Sequence, residues 1–251
     1  MARAAVPGRL GDRPRWRTGE VVDRHAESAT AVTLVLHVPD WPGHLAGQHI
    51  DVRLTAEDGY RAHRSYSVAS APDGERVELT VQRVPDGEVS PYLVDELLTG
   101  NFVEIRGPVG GWFVWRPEQK EPVLLVAGGS GLAPLMSMIR TRDAAGSRIP
   151  FRLLYSVRDP EARLYATELR KGSPGLDTAY VYTRTAPDNW PRPPGRLTPE
   201  DLVRGGWPPD FAPACYVCGP TGFVEQAAAS LVLLGHPPER IRTERFGPSG
   251  G

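Results

Sequence analysis

The chain has 251 residues, 40% hydrophobic and 24% charged, which is enough apolar content for two modest cores rather than one. A formal net charge of −1 argues against nucleic acid or an anionic membrane as a partner of the whole molecule, and leaves any charged docking face local. The opening segment from Met1 to Trp16 carries arginines and prolines but no apolar run, and no later stretch approaches the roughly 18 apolar residues of a membrane span, so a cytoplasmic location is expected.

From Trp16 to about Trp115, short apolar runs rich in β-branched residues alternate with turn signals, the pattern of antiparallel β-structure. Strands are expected over 18–24, 31–37, 49–54, 63–69, 77–84 and 102–106, with turns at Pro39 to Gly43, Asp58-Gly59, Asp73-Gly74 and Asp86-Gly87. Short strands at this spacing point to a small closed barrel. One helix interrupts them: Ser90 reads as its N-cap and Pro91 as its first residue, with Leu93, Val94, Leu97 and Leu98 on one face.

After the polar stretch from Arg116 to Pro122 the pattern becomes β-α-β-α. Strands are expected over 123–127, 151–155, 178–183, 214–218 and 241–244, and helices over 132–144, 165–169, 198–203 and 223–234. Apolar strands separated by helices argue for a parallel sheet covered on both faces. The expected domains are therefore 14–116 and 121–248. The loop from Arg184 to Arg196 is long for a compact domain and is a candidate mobile segment.

The only cysteines, Cys215 and Cys218, form a C-x-x-C. They fall in an expected strand, where positions three apart point to opposite faces, and no second pair exists to complete a zinc site, so neither a redox couple nor a metal site is expected.

Four constellations carry chemistry. Gly128-Gly129-Ser130-Gly131 follows a buried strand and opens a helix, the context in which a diphosphate reaches backbone N–H groups. Such a turn also occurs with no ligand. At the end of the next strand, where an acid usually reads an NAD ribose, this chain has Ser156-Val157-Arg158, which favours the 2′-phosphate of NADPH with NADH as the alternative. Asp159 tempers that preference, and a surface pairing of Arg158 with Asp159 or Glu161 is the competing reading. Arg64-Ser65-Tyr66-Ser67 sets an anion clamp two residues from an aromatic platform, with Arg64 and Tyr66 on one strand face and Ser67 on the other. That spacing suits a flavin, although Arg and Tyr also alternate on ordinary half-exposed strands. Gly87-Glu88-Val89-Ser90 leads into the helix after Ser90 and supplies a second anion-ready helix start.

In order, R-x-Y-S at Arg64, G-x-V-S at Gly87, G-P-x-G at Gly107, G-G-x-G-x-x-P at Gly128, Tyr216-Val217-Cys218-Gly219-Pro220 and Glu244-Arg245-Phe246 resemble the ferredoxin–NADP reductase family. The likeness runs from about Trp16 to Pro248 and is nearest to bacterial NAD(P)H:acceptor reductases. It implies a six-stranded antiparallel FAD-binding barrel followed by a parallel-sheet nicotinamide-nucleotide-binding domain. It also implies a flavoenzyme that passes electrons from NADPH or NADH through FAD to a separate acceptor such as a ferredoxin, a flavodoxin or an oxygenase component.

By the same resemblance, Arg64 would pair with the FAD diphosphate, Tyr66 would stack on the flavin, and Ser67 would hydrogen-bond near flavin N5. Val81 and Arg83 would border the ribityl and diphosphate portion, and Gly87, Val89 and Ser90 would meet the diphosphate. Gly129, Ser130 and Gly131 would meet the NADPH diphosphate, Ser156 and Arg158 the 2′-phosphate, and Cys218, Gly219 and Pro220 the nicotinamide. Glu244 and Phe246 would stand in the family's acid-x-aromatic end, with Phe246 as a removable flavin lid. Together Ser67, Cys218, Glu244 and Phe246 form the expected catalytic set. Hydride transfer then requires donor carbon and N5 in near-attack contact, roughly 3 to 3.5 Å apart.

The chain departs from its relatives in two ways. It lacks the C-x4-C-x2-C spacing of a fused [2Fe–2S] domain, and residues Gly247 to Gly251 continue past Phe246. Competing readings are a non-catalytic electron-input or regulatory subunit of a larger redox complex, and a domain that kept the fold without the flavin.

Overall fold

A computed structural model describes residues 15–247. Most of the opening segment, the expected domain limits at 14 and 248, and the chain beyond Gly247 lie outside the described residues. Strands β1 (Trp16–Ser28), β2 (Ala31–His37), β3 (His49–Thr55), β4 (Arg61–Ser67), β5 (Arg76–Gln82) and β6 (Phe102–Val109) form an antiparallel sheet in the order β4-β3-β6-β1-β2-β5. The two edges meet through a bridge between Val68 and Leu79, and the Ala69 N–H donates to the Glu78 carbonyl at 2.8 Å. The barrel is joined there just beyond the end of β4. Val32, Leu34 and Leu36 of β2 alternate into its core beside Ile50, Leu79 and Ile105, as period-two patterning requires.

The segment after Ser90 differs from expectation. Tyr92–Glu96 is a π-type turn in which the Leu97 N–H donates to the Tyr92 carbonyl at 2.9 Å. Ser90 does not cap it: no side-chain cap is made, and the Ser90 hydroxyl instead accepts from the Val84 N–H at 3.0 Å, closing the loop that holds Gly87. The helix ends at Glu96 and the chain turns extended at Leu97, so Leu98 lies beyond it and is 56% exposed while Leu93 and Leu97 remain buried. Ser90 and Pro91 do open the helical segment, as the sequence suggests, and no side chain caps its start.

The second sheet is parallel, with β7 (Val123–Gly128), β8 (Phe151–Val157), β9 (Leu176–Tyr182), β10 (Ala214–Pro220) and β11 (Ile241–Phe246) in the order β11-β10-β7-β8-β9. It is served by α1 (Leu132–Ala144), α2 (Ala166–Lys171), α3 (Pro199–Gly205) and α4 (Thr221–Leu233). Leu132, Leu135 and Met136 of α1 cover one face, whereas Val224, Ala227 and Leu231 of α4 cover the other. Cys218 lies in the first of these cores and Cys215 in the second, on opposite faces as strand geometry demands. Strand order reverses between β7 and β10, which makes their carboxyl ends a topological switch point.

The α1-side core continues into the barrel through Ala31, Ala46, Ala69, Phe113 and Trp115. The indole of Trp115 meets the Phe151 ring edge-on at 5.2 Å. The long loop after Arg184 is pinned: Arg192 pairs with Asp201 at 2.8 Å and Trp190 packs edge-on against Tyr182. Among the described residues no helix is long and apolar enough to cross a membrane.

Candidate functional site

The carboxyl ends of β7, β10 and β11 bring together three segments that are distant in sequence. Gly129 has φ +55°, a left-handed turn that glycine adopts without steric cost. Gly131 sits so close to β10 that a Cβ there would stand 2.3 Å from the Cys218 carbonyl oxygen, so only glycine lets the start of α1 reach the strand. Pro134 falls in the first turn of α1, where its missing N–H costs nothing. On the other side of β10, Cys218 is level with Glu244, and Pro220 with Phe246.

The barrel supplies the opposing wall. Ser67, the last residue of β4, donates from Oγ to Glu244 Oε1 at 3.2 Å. Burial raises the Glu244 carboxyl to about 7, an effect that the Ser67 hydrogen bond partly opposes. The Cys218 thiol is pushed well up, first by burial and then by the neighbouring Glu244 charge, and it is held as a neutral thiol. The Tyr66 hydroxyl is buried with no hydrogen-bond partner among the described residues, and burial raises it to about 12. An orphaned buried hydroxyl of this kind sits well beside a polar ring or a ribityl chain. Phe246, at the end of β11, is 37% exposed.

The other expected contacts are placed as follows. Arg64 is half exposed and its guanidinium donates to Glu88 at 2.9 Å, while Tyr60 holds the other Glu88 oxygen at 2.9 Å. Arg83 is engaged with Asp95 at 2.7 Å. Val81 and Val89 are buried in the barrel core, so their side chains line no cleft. Ser90 is buried and Ser130 half-buried, and Gly219 lies in the buried run of β10. Ser156 is level with Gly128 across β7 and β8. Arg158 is exposed and makes no ion pair among the described residues, because Asp159 caps the next turn by accepting from the Ala162 N–H at 2.8 Å. The surface pairing of Arg158 with Asp159 or Glu161 is absent. The structure thus joins Ser67, Glu244, Cys218, Gly219 and Gly131 at one crevice, and keeps Arg83, Val81 and Val89 out of it.

Sequence reasoning missed the partner of Arg64, although Glu88 lies inside the motif it quoted. It also missed Ser137, Arg140 and Tyr165, which join the two sheets and whose roles depend on contacts no local pattern encodes.

An antiparallel barrel facing the switch point of a parallel nucleotide-type sheet defines a two-domain reductase fold. Residues 19–114 match the oxidoreductase FAD-binding domain, and residues 125–229 match the oxidoreductase NAD-binding domain. The reductase component of the naphthalene 1,2-dioxygenase/salicylate 5-hydroxylase systems of Ralstonia sp, a ferredoxin–NAD(P)(+) reductase, is 34% identical over 81% of this chain and 61% of its own length. A flavohemoprotein of Deinococcus radiodurans is 29% identical over 99% of this chain and 62% of its own. The chain thus spans about three fifths of the length of these curated relatives. Among solved structures, the flavohem-like FAD/NAD-binding domain of Vibrio cholerae nitric oxide dioxygenase superposes with a TM-score of 0.82 at 28% identity, covering 92% of this chain and 99% of that one. The chain belongs to the ferredoxin–NADP reductase family.

Proposed function

We propose that the protein is an FAD-dependent reductase that takes a hydride from NADPH, with NADH as the poorer donor, and delivers electrons to a separate protein acceptor. The observation that carries this reading is the contact of Ser67 with Glu244 across the crevice whose floor is Gly131 and Cys218. One wall comes from a sheet matching an FAD-binding domain and the other from a sheet matching an NAD-binding domain. When bound, FAD supplies the ring that accepts the hydride and then yields electrons. The residues present fit it: Tyr66 offers an aromatic face and a hydroxyl in need of a partner, and Arg64 offers a guanidinium at the barrel rim.

Arg64, which now pairs with Glu88, would hold the diphosphate, and Tyr66 would carry the ring. Ser67 holds its hydroxyl toward the reacting edge, and Glu244, titrating near neutrality, holds or releases a proton at Oε1 behind it. Cys218 would shape the nicotinamide end as a neutral thiol, and Phe246 would serve as the lid that the nucleotide displaces. At the far end Ser156 and Arg158 hold the 2′-phosphate.

The acceptor is a ferredoxin, a flavodoxin or an oxygenase component. Support comes from relatives described as reductase components of dioxygenase and monooxygenase systems. The domain limits that go with this reading are 14–116 and 121–248. Anaerobic stopped-flow mixing of the FAD-loaded protein with NADPH and NADH in parallel tests the reading: rapid flavin bleaching by NADPH supports it, and a flavin that neither nucleotide reduces refutes it.

A further inference from the structure

The helix that begins at the glycine turn is fastened to the barrel immediately after Ser67. Ser137, about 9 Å along α1 from Gly131 at a rise of 1.5 Å per residue, is buried. It donates from Oγ to the Ser70 carbonyl at 2.6 Å. One turn later Arg140 donates to the Ala69 carbonyl at 2.9 Å, and the same guanidinium reaches Glu78 at 2.9 Å and Glu168 on α2 at 2.6 Å. The helix therefore cannot slide against the barrel without breaking charged contacts that are mostly out of water.

A second grip lies beside the first. Tyr165 has φ +52°, a left-handed conformation that a bulky residue keeps only when its surroundings enforce it. Its N–H donates to Glu27 Oε2 at 2.7 Å, and its hydroxyl donates to Thr80. Thr33 and Thr80 hydroxyls are 2.7 Å apart, and Thr33 donates to Glu27 Oε1 at 2.8 Å. With Thr33 committed to the carboxylate, Thr80 donates to Thr33 and Tyr165 to Thr80, so every hydroxyl in the chain points toward Glu27 and the loop returns to the Tyr165 amide. The Leu164 N–H donates to Tyr155 of β8 at 3.2 Å, which ties this grip to the strand that bears Ser156 and leads to Arg158.

The shared apolar core already holds the two sheets together, and these hydrogen bonds and the ion pair add directional contacts to it. We propose that Ser137, Arg140 and Tyr165 are positioning residues for hydride transfer: through Ala69, Ser70 and the Glu27–Thr33–Thr80 chain they hold the switch point of the parallel sheet in register with the barrel strand that ends at Ser67. This rests on the flavin and nicotinamide reading above.

The test uses the FAD-loaded full chain carrying Ser137→Ala, Tyr165→Phe, and both. Each change removes one hydroxyl, and the Ser70 carbonyl keeps His44 Nε2 at 3.1 Å, so the fold is not burdened with a new orphan there. Flavin reduction is followed at several NADPH concentrations to separate the saturating rate from Kd, and amide exchange is measured over residues 163–168. The double variant is expected to lose about ten- to a hundredfold in saturating rate, as a misplacement of about 1 Å would cause, at unchanged NADPH Kd and with faster exchange. A saturating rate within twofold of the parent, or a loss confined to Kd, overturns the proposal. A parent that neither nucleotide reduces overturns the flavin reading itself, a result distinct from a reducible parent whose variants match it.

Discussion

Ser67 Oγ donates to Glu244 Oε1 across 177 residues of sequence, and this contact joins the last residue of a barrel strand to the last strand of the parallel sheet. Its acid titrates near 7 when folded against an ordinary 4.5, so between those values the folded chain retains a proton that the unfolded chain has lost. The protein is therefore stabilised by this group at low pH and loses that contribution as pH rises through 7, by about 3 kcal/mol in total. Glu244→Gln should flatten this part of the stability profile. Urea unfolding at several pH values between 4.5 and 8 reads it, and an identical slope in the variant contradicts the assignment.

Arg64 and Glu88 make opposite predictions for flavin retention. Arg64→Ala removes a charge-assisted contact usually worth about 1.5 to 3 kcal/mol, and half exposure places it at the low end, so FAD should dissociate about tenfold more readily. Glu88→Gln frees the guanidinium from its carboxylate and should hold FAD at least as tightly as the parent. Flavin fluorescence on serial dilution measures both; weaker retention in Glu88→Gln would mean that the carboxylate orients Arg64 rather than competing for it.

For coenzyme choice, Arg158→Ala should cost NADPH about 1.5 to 3 kcal/mol and leave NADH nearly unaffected. The preference should shrink by roughly ten- to a hundredfold in kcat/KM. Raising the salt concentration should narrow it in the parent as well, since the guanidinium is exposed. Equal losses for both coenzymes would assign Arg158 to the support of its loop.

Both thiols should be silent toward a disulfide reagent in the native protein, because Cys215 and Cys218 are wholly buried and burial raises both. Denaturation should release two reactive thiols. Cys218→Ala should slow flavin reduction at saturating NADPH while FAD stays bound. A covalent adduct formed only during turnover would show that Cys218 reacts rather than shapes the crevice.

Most of the architecture was legible because periodicity reports burial directly. The expected ranges 31–37 and 132–144 coincide with β2 and α1, and the change from alternating to continuous apolar strands marks the passage from barrel to parallel sheet. The π-turn after Pro91 was not legible. Ser90 and Pro91 do open the helical segment, as their composition suggests, but the Ser90 hydroxyl accepts from the Val84 amide six residues back instead of capping it. In the site, Gly131 and Cys218 could be placed at strand ends but not against each other. The place of Val81 beside the ribityl and diphosphate portion came only by resemblance, and its side chain lies in the barrel core.

Strand β7 lies between the two halves of the candidate site. The crevice of Gly131 and Cys218 opens on its β10 side, while Ser156 and Arg158 stand on its β8 side. Under the proposed function, a substitution at the end of β8 alters the fit of the adenosine end of a dinucleotide and leaves the reacting end untouched. Coenzyme preference can then drift or be re-engineered in single steps, whereas the crevice, where even one methyl group at Gly131 collides with a backbone carbonyl, tolerates almost no variation. In descendants of such a chain, the choice of fuel is free to diversify around chemistry that sterics hold constant.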